Sequence, residues 1–203
     1  MDELQEDVLK EIVNIGSGHA ATALASMLGR PIEQSVPNVR LVPLAEMPDM
    51  LGGAEKVVVA GFLSVTGDFS GYLMMFLDFE QAEKIISMVK GKPLRKREKP
   101  HLRRFSAMDK SVLCETVNIM GGSYLTAISE FTGLKAFPSI PYLSVDMVGA
   151  VISVAVAETG KTGDFALLFQ SELYNEQERL IGNLFLIPDE NSCNTILGSL
   201  GFL

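Results

Sequence analysis

Residues 10–24 read "KEIVNIGSGHAATAL" and residues 114–128 read "CETVNIMGGSYLTAI". Each places a Glu three positions ahead of an Asn-Ile pair: Glu11 before Asn14, and Glu115 before Asn118. The agreement extends in both directions. Asp7 stands four residues before Glu11 as Ser111 stands four before Glu115. Twenty-two residues separate Asn14 from Pro37, and again 22 separate Asn118 from Pro141. Chance does not keep a spacing over so many residues, so the chain reads as an internal repeat.

Working outward from the two motifs, each half reads as a long helix, several strands and a second helix. Pro37 is followed by the strand pattern "NVRLVPL" and Pro141 by "YLSVDMV". "KVVVAGFLSV" and "SGYLMMFLD" are β-branched or apolar runs joined by the sharp turn "TGD". "FEQAEKIISMVKG" has helical periodicity and closes on Gly91, a C-cap residue. In the second half, "VGAVISVAVAETG" reads as a strand with a hairpin extension. "GDFALLFQSEL" and "IGNLFLIPD" read as strands, and "ENSCNTILGSLG" as the closing helix. The expected fold is one α/β domain over 1–203, with repeats of about 1–91 and 106–203 joined by a basic linker, 92–105. The halves would face each other about a pseudo-twofold and share a mainly antiparallel sheet flanked by helices, since short turns favour antiparallel pairing and one half alone buries too little surface.

Composition narrows the function classes. The 203 residues are 47% apolar, enough for a substantial core, yet no run approaches the roughly 18 apolar residues of a membrane span. The acidic start "MDELQEDVLK" lacks the order of a secretion signal, which points to the cytoplasm. Cys114 and Cys193 are far apart, and His19 and His101 are isolated, so neither a zinc site nor a Cys/His nucleophile assembles from them. The two thiols are expected to be reduced. A net charge of −8 argues against nucleic acid, which wants a basic surface. The basic stretch "KPLRKREKPHLRRF" reads as a solvated linker, the alternative being a patch that attracts an acidic partner.

At 100° per residue, Asp7, Glu11, Asn14 and Gly18 fall within an arc of roughly 60° on the first helix. Ser111, Glu115, Asn118 and Gly122 form the same stripe on the second. Val8, Ile12, Ile15 and Ala23 lie opposite, with Leu9 and Ala20 beside them, as a core-facing surface requires. His19 falls on that apolar side and is expected to be partly buried with a hydrogen-bond partner. Asn is a poor helix former and Gly a worse one, by about 1 kcal/mol relative to Ala, yet both recur in mid-helix on the exposed stripe. A solvated face gains nothing from them. A face that another backbone or a phosphate must approach closely gains from both.

Asn cannot titrate, so it is no general base, but it donates and accepts at once and can orient a water molecule. Positioning water for in-line attack on phosphorus is a task for which such an amide suffices. The electrophile and Mg²⁺ would then arrive with the substrate, a phosphoprotein carrying its own metal site. Glu would anchor that partner through a Lys near its phosphoryl group.

The doubled pattern [Asp/Ser]-x3-Glu-x2-Asn-x22-Pro, with "NIGSGHAATAL" and "VPNVRLVP", resembles the CheC family of chemotaxis phosphatases over essentially the whole chain. The resemblance implies a three-layer α/β fold with pseudo-twofold symmetry. It also implies hydrolysis of the phospho-aspartate of the response regulator CheY, in the control of chemotaxis and flagellar rotation. By the same resemblance Asn14 and Asn118 place water, and Glu11 and Glu115 grip a Lys of phospho-CheY. Asp7, Gly18, Ser111 and Gly122 complete the contact face. No cofactor of the chain's own is implied; Mg²⁺ belongs to the regulator.

CheX commonly keeps one motif and dimerises, and FliY carries additional regions. The FliM middle domain lacks the Glu-Asn pairs, so two intact pairs favour CheC. CheD, a receptor deamidase, is a further implied partner, with the closing helix around Asn191 to Leu200 as its surface. The sequence departs from the family's usual Asn-Ile-Gly-x-Gly-Asn at His19, and Met120 stands where the first copy has Gly16, which makes the two copies unequal. The alternative is a non-catalytic adaptor for CheY, CheD or switch components.

Overall fold

A computed structural model describes residues 3–34, 38–91, 105–159, 165–174 and 179–201. The basic linker lies outside the described residues except for Phe105, as does Pro37. In chain order, helix α1 (Glu3–Leu28) is followed by strands β1 (Glu33–Gln34) and β2 (Asn38–Pro43), a 3-10 turn (Leu44–Glu46) and a one-turn helix α2 (Met47–Met50). Strands β3 (Val57–Gly67) and β4 (Gly71–Leu77) then lead to helix α3 (Phe79–Lys90). The second half runs through helix α4 (Ala107–Thr132), strands β5 (Ala136–Pro138) and β6 (Tyr142–Met147) and helix α5 (Val148–Thr159). It ends with β7 (Phe165–Tyr174), β8 (Arg179–Pro188) and helix α6 (Glu190–Ser199). The helices α1 and α4 are each 26 residues long, and their first residues, Glu3 and Ala107, are as far apart as Asn14 and Asn118.

All described strands join one eight-stranded sheet, ordered β1-β7-β8-β4-β3-β5, with β2 also on β7 and β6 also on β3. Every described pairing is antiparallel. Exchanging β1–β4 with β5–β8 reproduces the same order read from the other end. The centre is the β4–β8 pair, with Leu73 opposite Leu186 and Met75 opposite Leu184.

Both faces of that sheet are covered, which is why the strands read as continuous apolar runs. Along β4, Leu73, Met75 and Leu77 join the core beneath α1, α3 and α4. Met74 and Phe76 point the other way, into a second core with Val148, Val151, Ile152 and Ala155 of α5 and Met47 of α2. Three layers result: helices, sheet, helices.

Local signals set the helix ends. Asp78 caps α3: Gln81 N–H donates to its Oδ1 (2.8 Å) and Asp78 N–H donates to Gln81 Oε1. Gly91 ends that helix in the left-handed conformation, φ 61°. Ser106 and Asp109 form the equivalent box on α4, and Gly133 closes it at φ 72°. Lys90 Nζ donates to Asp109 Oδ1 at 2.5 Å, so the last turn of α3 is tied to the first turn of α4.

Two expectations fail. "VGAVISVAVAETG" is not a strand with a hairpin extension; residues 148–159 are helix α5. Val148, Val151, Ile152 and Ala155 are buried at helical spacing and cover the second face of the sheet. The β-branched content misleads because tertiary burial overrides a weak propensity. His19 is also exposed rather than partly buried. The buried side of α1 centres on Leu9, Val13, Ala20 and Leu24, and His19 falls beyond its edge, where Ile15 and Ala23 are only half-buried. Cys114 and Cys193 are not bonded to each other.

Candidate functional site

Helix α1 lays its apolar side on the sheet and against α4, so its opposite side faces solvent. Asp7, Glu11 and Asn14 are exposed there, and Gly18 is half-buried. On α4, Ser111, Glu115 and Asn118 are exposed and Gly122 is half-buried. Each helix therefore presents its Glu and Asn one turn apart, followed by a glycine on the next turn. Among the described residues, a Cβ at Gly122 would meet nothing within 4 Å, and one at Gly18 would meet only Gln34 Nε2, at 3.6 Å. Neither glycine is required by packing among the described residues.

The surroundings of the two stripes differ. Lys10 lies 3.9 Å from Asp7, an exposed i,i+3 pair of little energetic weight. The main-chain carbonyl of Asn14 accepts from Ser17 Oγ at 3.1 Å and from Gln34 Nε2 at 3.5 Å. Ser17 is fully buried, and Gln34 Oε1 is buried with no hydrogen-bond partner among the described residues. Near the second stripe, Cys114 Sγ donates to the carbonyl of Pro141 at 3.9 Å, and burial pushes the Cys114 thiol above its ordinary range. Ser17 and Gln34 escaped the reading of the sequence. Ser17 carried a signal, a small hydroxyl three residues after Asn14 and able to reach back to its carbonyl. Gln34 carried none, because β1 brings it to α1 only through tertiary packing.

What this arrangement can do is bind and orient. Two carboxylates and two amides project into solvent from rigid helices, with open glycine backbone alongside. A separate groove of about 500 Å³ lies on the α5 side of the sheet, lined by Phe62, Tyr72, Tyr142, Asp146 and Val154 among others. It belongs to the opposite layer from the stripes. Among the described residues, no helix is long and apolar enough to cross a membrane.

The paired helices define the class of protein. A model of the CheC-like family matches residues 4–40 and 108–139, which are α1 and α4 with the segments that follow them. The chain is 36% identical over 204 residues to the CheY-P phosphatase CheC of Bacillus subtilis (strain 168), covering 98% of this chain and 95% of that one. It belongs to the CheC-like family. Among solved structures, FliY of Thermotoga maritima matches with TM-score 0.73 and 20% identity, covering 99% of this chain and 98% of the solved FliY chain. CheX in the CheX–CheY–BeF3–Mg²⁺ complex of Borrelia burgdorferi matches with TM-score 0.50 and 16% identity, over 88% and 97% of the two chains. These two likenesses concern the fold.

Proposed function

We propose that this protein is a chemotaxis phosphatase that hydrolyses the aspartyl phosphate of CheY, with one site on α1 and one on α4. The observation that carries the reading is the doubled exposed set, Glu11–Asn14–Gly18 and Glu115–Asn118–Gly122, in a chain so similar along its length to the B. subtilis CheY-P phosphatase CheC. CheX, which shares the fold, forms a complex with CheY.

In each site the Asn amide accepts from a water and donates toward the phosphoryl group, aligning the water with the scissile bond. Such positioning supplies much of the barrier reduction when the reaction needs no protein nucleophile. The water oxygen forms a bond to phosphorus while the bond from phosphorus to the aspartyl oxygen breaks. Both water protons leave with the inorganic phosphate, and a free carboxylate remains on CheY. Glu11 and Glu115 pair with a Lys beside the CheY phosphoryl site and fix the approach. Asp7, Gly18, Ser111 and Gly122 complete the contact, the glycines letting the partner's backbone come close. Mg²⁺ is held by CheY and not by this chain. CheD is a further partner, on the closing helix α6, and the reaction belongs in the cytoplasm with CheY.

Phosphate release from phosphorylated CheY tests the reading with Asn14→Ala, Asn118→Ala and the double variant. The double variant should fall to the rate of CheY alone while still binding it. A double variant as active as the parent chain overturns the assignment of the amides. A parent chain that binds phospho-CheY without accelerating release makes it an adaptor instead.

A further inference from the structure

The two stripes are matched in the residues they display but not in what holds them. The carbonyl of Asn14 takes two side-chain donors, Ser17 Oγ from the next turn and Gln34 Nε2 from β1. The residues at the same distances from Asn118 are Gly121 and Pro138, and neither has a side-chain donor. A hydroxyl has no room at Gly121, where a Cβ would collide with Leu63 Cδ1. The Gln34 amide also lies over Gly18, whereas Gly122 opens on nothing within 4 Å.

Gln34 is not an ordinary surface amide. Its Oε1 is buried without a hydrogen-bond partner among the described residues, an arrangement uncommon in native proteins. The nitrogen end alone is engaged, and it engages the backbone of the residue that carries the proposed chemistry.

We propose that Gln34 is a positioning residue for Asn14. It fixes the turn of α1 that aims the Asn14 amide, so that the first site is clamped and the second is open. The inference rests on the reading of Asn14 as the water-orienting group. Through Asn14 it acts on the chemical step and leaves capture of CheY unchanged.

The test uses the full chain with one site silenced at a time. In an Asn118→Ala background, where only the first site works, Gln34→Glu removes the donor and keeps the shape, and Gln34→Met removes it without adding charge. Both should lower kcat for phosphate release on the order of tenfold, the scale of a small misplacement in a positioned reaction, with KM for phospho-CheY unchanged. In an Asn14→Ala background the same substitutions should leave phosphate release unchanged, and thermal unfolding should show the variants folded.

An unchanged kcat in the first background overturns the role. So does an equal fall in both backgrounds, which marks a general structural part, or a rise confined to KM, which marks a direct contact with CheY. If the Asn118→Ala chain itself releases nothing beyond CheY alone, the reading of the first site fails and Gln34's role with it. That failure is distinct from an active chain on which Gln34 substitutions do nothing.

Discussion

Gly16 and Tyr124 pack so closely that a Cβ on Gly16 would stand 2.8 Å from Tyr124 Cδ1 and 3.2 Å from its Cα. Tyr124 is fully buried and stacked on Phe169, ring centres 5.2 Å apart. The ring therefore cannot move aside, and the glycine sets how near α1 comes to α4. Gly16→Ala should destabilise the fold by about 1–2 kcal/mol: overpacking costs about 1–3 kcal/mol, and the better helix propensity of Ala recovers at most about 1. Denaturant unfolding with an unchanged m value checks it.

Gly122 should behave in the opposite way. With open space around its Cα, Gly122→Ala should raise stability by up to about 1 kcal/mol. In an Asn14→Ala background it should nonetheless lower phosphate release from phospho-CheY by roughly threefold or more, because the methyl holds the partner off. Stability and activity moving together would remove the docking role from this glycine.

Glu11 and Glu115 are exposed, and their proposed task is to grip a Lys on CheY. Glu11→Gln with Glu115→Gln should raise KM on the order of tenfold, about 1.4 kcal/mol, and leave kcat nearly unchanged. The KM of the parent chain should rise with added salt and that of the variant should rise less, since exposed ion pairing is screened. Initial-rate kinetics at two ionic strengths measures both.

The Lys90–Asp109 pair joins α3 to α4, with the Asp109 side chain only 6% exposed and Lys90 27%. Asp109 Oδ2 also accepts from Ser106 N–H at 2.9 Å. Asp109→Ala should cost roughly 2–3 kcal/mol, the scale of a charged hydrogen bond plus a lost cap. Lys90→Met should also destabilise, by leaving a buried carboxylate uncompensated, and the double variant should cost less than the two singles together. A double-mutant cycle by chemical denaturation reads this directly.

Burial pushes both Cys114 and Cys193 above the ordinary thiol value of 9.0. At pH 8 the native thiols should therefore react with iodoacetamide more slowly than after unfolding. The folded state holds these protons more tightly than the unfolded one. Stability should thus be unaffected below the ordinary thiol range and decline as the pH rises above about 9. Alkylation followed by mass spectrometry tests the first statement, and unfolding at pH 8 and pH 10 the second.

Much of this molecule was legible in its sequence where the signal is local. Gly91 announces the end of α3, and the apolar run of β4 announces a strand. The outward stripe of Glu11 and Asn14 follows from helix period alone, and all four of the Glu and Asn side chains are exposed. Helix α5 was legible too, through Val148, Val151, Ile152 and Ala155, but its β-branched content pulled the reading toward a strand. His19 was misplaced because 100° per residue locates a position on a helix without locating the edge of the buried arc.

The sequence by itself determined the two helices, their spacing and the polar groups each shows to solvent, because these depend on residue order and on the geometry of one helix. Only the tertiary structure decided that Gly16 receives Tyr124, that α5 covers the second face of the sheet, and that Gln34 reaches the carbonyl of Asn14. Those contacts join residues far apart in the chain, and which of them form is settled by how the helices and the sheet fill space together.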